Sequence, residues 1–142
     1  MVVDSSSDTA LSTAMLLELA DFEVLGLNRA GDVMPAAASF RPDAILLDLS
    51  LGAGASGLDV ARQIRTQPAL RHALLVAVTG WSRPKDRVEA AACGFDHFML
   101  KPAEPDRLVE LVRAIERRKQ SSPAWPAHLD RRGGKQSVCD RK

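Results

Sequence analysis

Four side chains in this sequence, Asp4, Asp48, Thr79 and Lys101, could work together if the fold brought them to one place. Asp4 ends the apolar run "MVVD", Asp48 ends "AILLD", Thr79 ends "ALLVAVT", and Lys101 directly follows "HFML". Two carboxylates supply hard oxygen ligands for a divalent cation. A hydroxyl and an ammonium suit the oxygens of a phosphoryl group. Taken singly, each residue has an ordinary reading: Asp48 as a loop cap, Asp4 as a turn acid, Thr79 as a strand-to-turn residue before Gly80, Lys101 as a surface lysine before Pro102. Their joint order at the ends of apolar runs is what points to chemistry. An ionised carboxylate is costly inside a buried strand, so Asp48 is expected at a strand's exposed end.

The elements that would position them alternate. Apolar runs at 1–4, 22–27, 44–48, 73–79 and 97–100 read as strands, with helical patterns between them and after the last. The runs are nearly continuous in apolar residues, as strands covered on both faces should be. The first helix is expected over about Asp8–Asp21, with Asp8 as its cap and Leu11, Met15 and Leu19 on one apolar face. A second is expected near Asp32–Phe40, with Pro35 in its first turn. The third follows Gly57, with Leu58, Ala61 and Ile64 inward. The fourth runs from about Pro84 to Cys93 and stops at Gly94. The fifth carries the stripe Leu108, Leu111, Val112 and Ile115. Five such units in about 119 residues predict a flavodoxin-like (βα)5 doubly wound parallel sheet, strand order 2-1-3-4-5. Ligands then bind outside the carboxyl ends of the strands, where the four residues would converge.

The 142 residues suffice for one domain with a normal core, and the composition is that of an ordinary globular chain. No apolar run approaches the roughly 20 residues that span a bilayer. No basic segment followed by an apolar one opens the chain, so a cytoplasmic location is expected. Cys93 and Cys139 have no metal-ligand spacing, and Cys93 reads as a small buried residue. His72 and His97 read as surface residues. Residues 120–142 carry five Lys and Arg against two Asp, with Pro, Gly and Ser punctuation, and are expected to form a disordered basic tail behind a domain at 1–119. Five charges make nucleic-acid binding a weak expectation. Trp81 is read as either a partner contact or a residue packed on the fourth helix.

The stretches "VVDSSSD", "RPDAILLDLSL", "SGLDVARQIR", "VAVTGW" and "GFDHFMLKPAEPDRLVELV" resemble the receiver domain of two-component response regulators over residues 1–119. The resemblance implies that Asp48 accepts a phosphoryl group from a phosphohistidine on a histidine kinase or phosphotransfer protein. It implies that Asp4, Asp48 and the Ser50 carbonyl hold Mg²⁺, that Thr79 and Lys101 contact the acquired phosphoryl group, and that Phe98 is a rotamer switch coupled to Thr79. It also implies a cis Lys101–Pro102 bond. On this reading the protein is not an enzyme in the usual sense but a phosphoacceptor that assists its own modification. It would be a monomer or weak dimer signalling to a downstream protein.

Two departures matter. Where the family has two adjacent acids after the first strand, this chain has Asp4-Ser5, and a serine is a neutral, weaker ligand, so Mg²⁺ affinity should fall. The loop "LSLGAGASGLD" lacks the family's usual proline and has glycines at 52, 54 and 57, which permit unusual dihedrals. The alternative reading is therefore a degenerate receiver, a binding module independent of phosphorylation. A flavodoxin-like phosphatase or flavin protein would need a phosphate-cradling loop after the first strand, and "DSSSD" contains no glycine.

Overall fold

A computed structural model describes residues 1–80 and 83–121, with side chains to residue 117. Trp81 and all but the first two residues of the expected tail lie outside the described residues. The elements are β1 (Val2–Val3), α1 (Ser7–Leu19), β2 (Gly26–Leu27), α2 (Val33–Phe40), β3 (Ala44–Leu47), α3 (Gly57–Thr66), β4 (Leu74–Thr79), α4 (Pro84–Ala92), β5 (His97–Leu100) and α5 (Pro105–Ser121). All strand pairings are parallel, and the sheet order is β2-β1-β3-β4-β5, as expected.

Alternation along the strands splits the core in two. Val3, Ile45, Leu47 and Leu75 point to one face, where they pack with Val33, Val60, Ile64 and Ala90 of α2, α3 and α4. Val2, Leu46 and Val76 point to the other, where they meet Leu17 of α1 and Leu108 of α5. Each large aliphatic side chain fully buried in this way contributes about 1.5–3 kcal/mol. This two-faced burial explains why the strands read as unbroken apolar runs.

Several boundaries differ from expectation. β1 and β2 are only two residues long, and Phe22 and Val24 pack against the second core cluster from outside the strand. Ser6, not Asp8, caps α1, its hydroxyl accepting from the Thr9 N–H at 3.3 Å, while Asp8 sits in the first turn. A short 3-10 turn at Ala30–Asp32 leads into α2, which starts at Val33 and keeps Pro35 in its first turn.

The largest correction concerns the face of α1. Leu11, Met15 and Leu19 are 60%, 53% and 84% exposed, and the buried side is Ala10, Ala14 and Leu17. The buried side faces β2, where a Cβ placed on Gly26 would be in ordinary van der Waals contact, 3.8 Å from both the Ala10 carbonyl oxygen and the Ala14 Cβ. Alanines fit between helix and strand there, and the leucine ridge is turned outward.

A buried cation ties α3 to the opposite end of the sheet from the strand ends. The Arg65 guanidinium donates to the carbonyls of Gly94, Arg71 and Ala73 and to Asp96, over 2.6–3.0 Å. Asp96 Oδ2 also accepts from the Leu75 N–H at 2.9 Å. Cys93 is buried just past α4, and His72 and His97 are exposed.

Candidate functional site

The parallel register carries β1, β3, β4 and β5 to a common edge, and the polar residues follow immediately. Asp4 and Asp48 each stand one residue past their strands, still hydrogen-bonded in the ladder. The Asp48 N–H donates to the Val3 carbonyl at 2.9 Å and the Asp4 N–H to the Leu27 carbonyl at 3.1 Å. Thr79 closes β4 and is fully buried, and Asp4 and Asp48 are nearly so. The dilemma posed by a carboxylate after an apolar run is thus resolved by position, since the strand stops at Leu47.

Lys101 joins the group from β5. Its ammonium donates to Asp4 Oδ2 at 2.6 Å and to Asp48 Oδ2 at 2.8 Å. Its backbone N–H donates to the Thr79 carbonyl at 2.9 Å, and its bond to Pro102 is cis, as expected. The remaining carboxylate oxygens are held by their own loops: Asp4 Oδ1 accepts from the Ser6 N–H at 2.9 Å, and Asp48 Oδ1 from the Ser50 N–H at 3.1 Å. Burial alone would lower the Lys101 pKa, but the hydrogen bonds and charges of Asp4 and Asp48 outweigh it and raise the pKa above its ordinary 10.5.

The loop after β3 folds back on itself. Gly52, Ala53 and Gly54 all have positive φ, and the Ala55 N–H donates to the Gly52 carbonyl at 2.8 Å. Ser50 and Ser56 form an antiparallel bridge, and Leu51 is buried. Gly57 then passes so close to the end of β3 that an added Cβ would overlap the Asp48 carbonyl oxygen. The unusual dihedrals that the glycines permit are realised at Gly52 and Gly54, and the loop closes beside Asp48.

Ser5 is exposed and faces this loop, its Cβ 3.9 Å from the position a Cβ on Gly52 would take. Beside it, a cavity of about 340 Å³ is lined by Ser50, Gly52, Thr79, Asp86 and Glu89 among others. Phe98 is half-buried against the first core cluster, with the Arg87 guanidinium of α4 5.0 Å from its ring centroid. Three contributions were missed in the sequence: Ser6, which both caps α1 and holds Asp4; Gly57, which abuts Asp48; and the α4 carboxylates lining the cavity. A serine just ahead of a helical pattern was the available signal for the first.

A family model described as the response regulator receiver domain matches residues 1–113. The chain belongs to this family. The receiver is 31% identical over 147 residues to the DNA-binding response regulator MtrA of Mycolicibacterium paratuberculosis, covering 96% of this chain and 64% of that protein. It therefore spans less than two thirds of that relative's length. Among solved structures, the CheY-like receiver domain protein of Methanospirillum hungatei superposes with a TM-score of 0.76 at 20% identity, covering 85% of this chain and 95% of that one. The BeF3-activated receiver domain of Klebsiella pneumoniae RstA gives 0.74 at 23% identity, covering 82% and 96%. These two show the fold. No helix among the described residues is long and apolar enough to cross a membrane.

Proposed function

We propose that this receiver accepts a phosphoryl group on Asp48 from a phosphohistidine of a kinase or phosphotransfer protein, and signals to a downstream protein through a changed surface. The supporting observation is the convergence of Asp4, Asp48 and Lys101 beside the buried Thr79 at the carboxyl edge of the sheet. Phosphoryl transfer needs mainly positioning and charge neutralisation, and this edge supplies both.

The donor set fits a hard divalent cation. Asp4, Asp48 and the Ser50 carbonyl are all oxygen donors, and Mg²⁺ tolerates several waters in its shell. Among the described residues no group of three His, Cys, Asp or Glu side chains surrounds the site, so the carboxylate count is low. When bound, Mg²⁺ would neutralise charge between the acceptor and the incoming phosphoryl group. The chain's own residues do the rest. The Ser50 N–H and Lys101 hold Asp48 in place. After transfer, Lys101 keeps its ammonium beside the new anion, and the Thr79 hydroxyl turns toward it. Phe98 then moves, altering the surface of α4 and β5, a shift between two packings. The expected setting is the cytoplasm, with the protein acting as a signalling module rather than on a metabolite.

A second reading, a phosphorylation-independent binding module, is favoured by Ser5 and by the engagement of both carboxylates with Lys101. One assay separates the two. Incubation with small phosphodonors and Mg²⁺ should give an adduct that Asp48→Asn abolishes. Failure of the natural chain with several donors at high Mg²⁺ would leave the binding module standing.

A further inference from the structure

At the opposite edge of the sheet from Asp48 lies a second cavity, of about 240 Å³. It sits between the C-terminal ends of α1 and α5, with Leu17, Phe22, Val112 and Ile115 among its apolar walls. Small-molecule pockets usually measure about 300–1,000 Å³, so this space suits one large side chain better than a cofactor. Its rim is acidic: Asp21, Glu23, Asp43 and Glu116 stand against Arg41 and the Met1 amine. Burial, partly opposed by Asp43, lowers the pKa of that amine to about 6, so it adds little positive charge near neutrality.

We propose that this cavity is the seat of the chain's own segment 123–129, "PAWPAHL", with Trp125 filling the apolar floor. Reach is the first argument. α5 ends at Ser121, five residues beyond Glu116 on the rim, which is about 8 Å of helix. Trp125 follows four residues later, and four extended residues span about 13 Å, enough to return to the rim. Composition is the second. Pro123 and Pro126 bracket the tryptophan and restrict its backbone, which reduces the ordering cost of docking. An indole combines large apolar area with one polar N–H, which suits a cavity with apolar walls and a polar rim. Charge is the third. The segment itself carries no Lys or Arg, but Arg131, Arg132 and Lys135 follow it closely in sequence and are complementary to the rim carboxylates.

The chain has two tryptophans, so Trp81→Phe in the full-length protein leaves Trp125 as the sole reporter. The seated tail gives blue-shifted emission and severalfold weaker acrylamide quenching than a free indole, both independent of protein concentration. Ile115→Glu, with circular dichroism confirming the fold, restores the emission of a solvated indole. Solvent-like emission with full quenching in the Trp81→Phe chain would overturn the proposal, as would protected emission that survives Ile115→Glu. Protection that appears only as concentration rises, together with a dimer in sedimentation, would assign the seat to a second copy's tail and overturn docking within one chain. If Trp81→Phe does not fold, the same outcomes are read from 5-fluorotryptophan resonances in the natural chain, with Trp125 assigned by Trp125→Phe.

Discussion

Replacing Arg65 by methionine should unfold this protein more readily than any exposed charge substitution. The guanidinium satisfies the carbonyls of Gly94, Arg71 and Ala73 and pairs with Asp96 at 3.0 Å. Methionine keeps much of the arginine stem's packing but none of its donors. Removing one partner of a buried ion pair costs about 3–5 kcal/mol. The Asp96 side chain is 29% exposed and can be partly rehydrated, so the low end applies to the pair itself. Of the stranded carbonyls only that of Ala73 sits in a buried bond, and leaving it unsatisfied adds about 1–3 kcal/mol. We expect a total loss of about 4–6 kcal/mol and a fall in melting temperature on the order of 15–25 °C. Urea unfolding followed by circular dichroism, with the m-value checked for constancy, reads this directly. Lys85→Met is the control, because Lys85 and Glu89 form an exposed pair at 4.0 Å that should contribute less than about 0.5 kcal/mol. If the two variants lose the same stability within about 1 kcal/mol, the assignment of Arg65 as a buried structural cation is wrong.

Four further outcomes are expected. Gly57→Ala places a methyl in overlap with the Asp48 carbonyl oxygen and should cost about 1–3 kcal/mol in denaturant unfolding while suppressing adduct formation on Asp48. Gly31→Ala, with nothing within 4 Å of its new Cβ, should be neutral or slightly stabilising. The Lys101 ammonium, followed by NMR through pH, should titrate above 10.5 and move back toward it in Asp48→Asn. Because the folded pKa is raised, the stability this lysine contributes is fully present below 10.5 and is lost only as pH rises through the folded value. Finally, Ser5→Asp should tighten Mg²⁺ binding by roughly tenfold or more in a calorimetric titration, by adding a carboxylate to a site short of them. Unchanged affinity would mean that position 5 does not face the ion.

Strand order, parallel pairing and the common edge of Asp4, Asp48, Thr79 and Lys101 were legible because they depend on burial pattern and on residue types at run ends. The residues of β5 were read as observed, being bounded on both sides by polar residues. The face of α1 was not legible. A count of leucines favours Leu11, Met15 and Leu19, whereas the side turned to the sheet carries Ala10, Ala14 and Leu17, and which side meets the strands is set by elements elsewhere in the chain. The lengths of β1 and β2 were overestimated for a related reason, since Phe22 and Val24 bury themselves without joining the ladder. Asp8 looked like a cap by type, but Ser6 has the geometry. The conformation of the loop at 52–54 was hidden because glycine permits disorder and tight closure equally well, and only Ser50 and Ser56 pairing across it distinguishes them.

That closed loop fixes when the entropy of the segment beside Asp48 is lost. A loop with three successive positive-φ residues could have been left to order around an incoming donor, with each docking event slowed and weakened by that ordering. Here Leu51 is buried, Ser50 meets Ser56, and Gly57 rests against the backbone of Asp48 before anything arrives. The conformational search belongs to folding rather than to encounter. On the proposed phosphoacceptor reading, a donor therefore meets a loop already closed beside Asp48, and its rate of capture should depend on how often it collides in the right orientation.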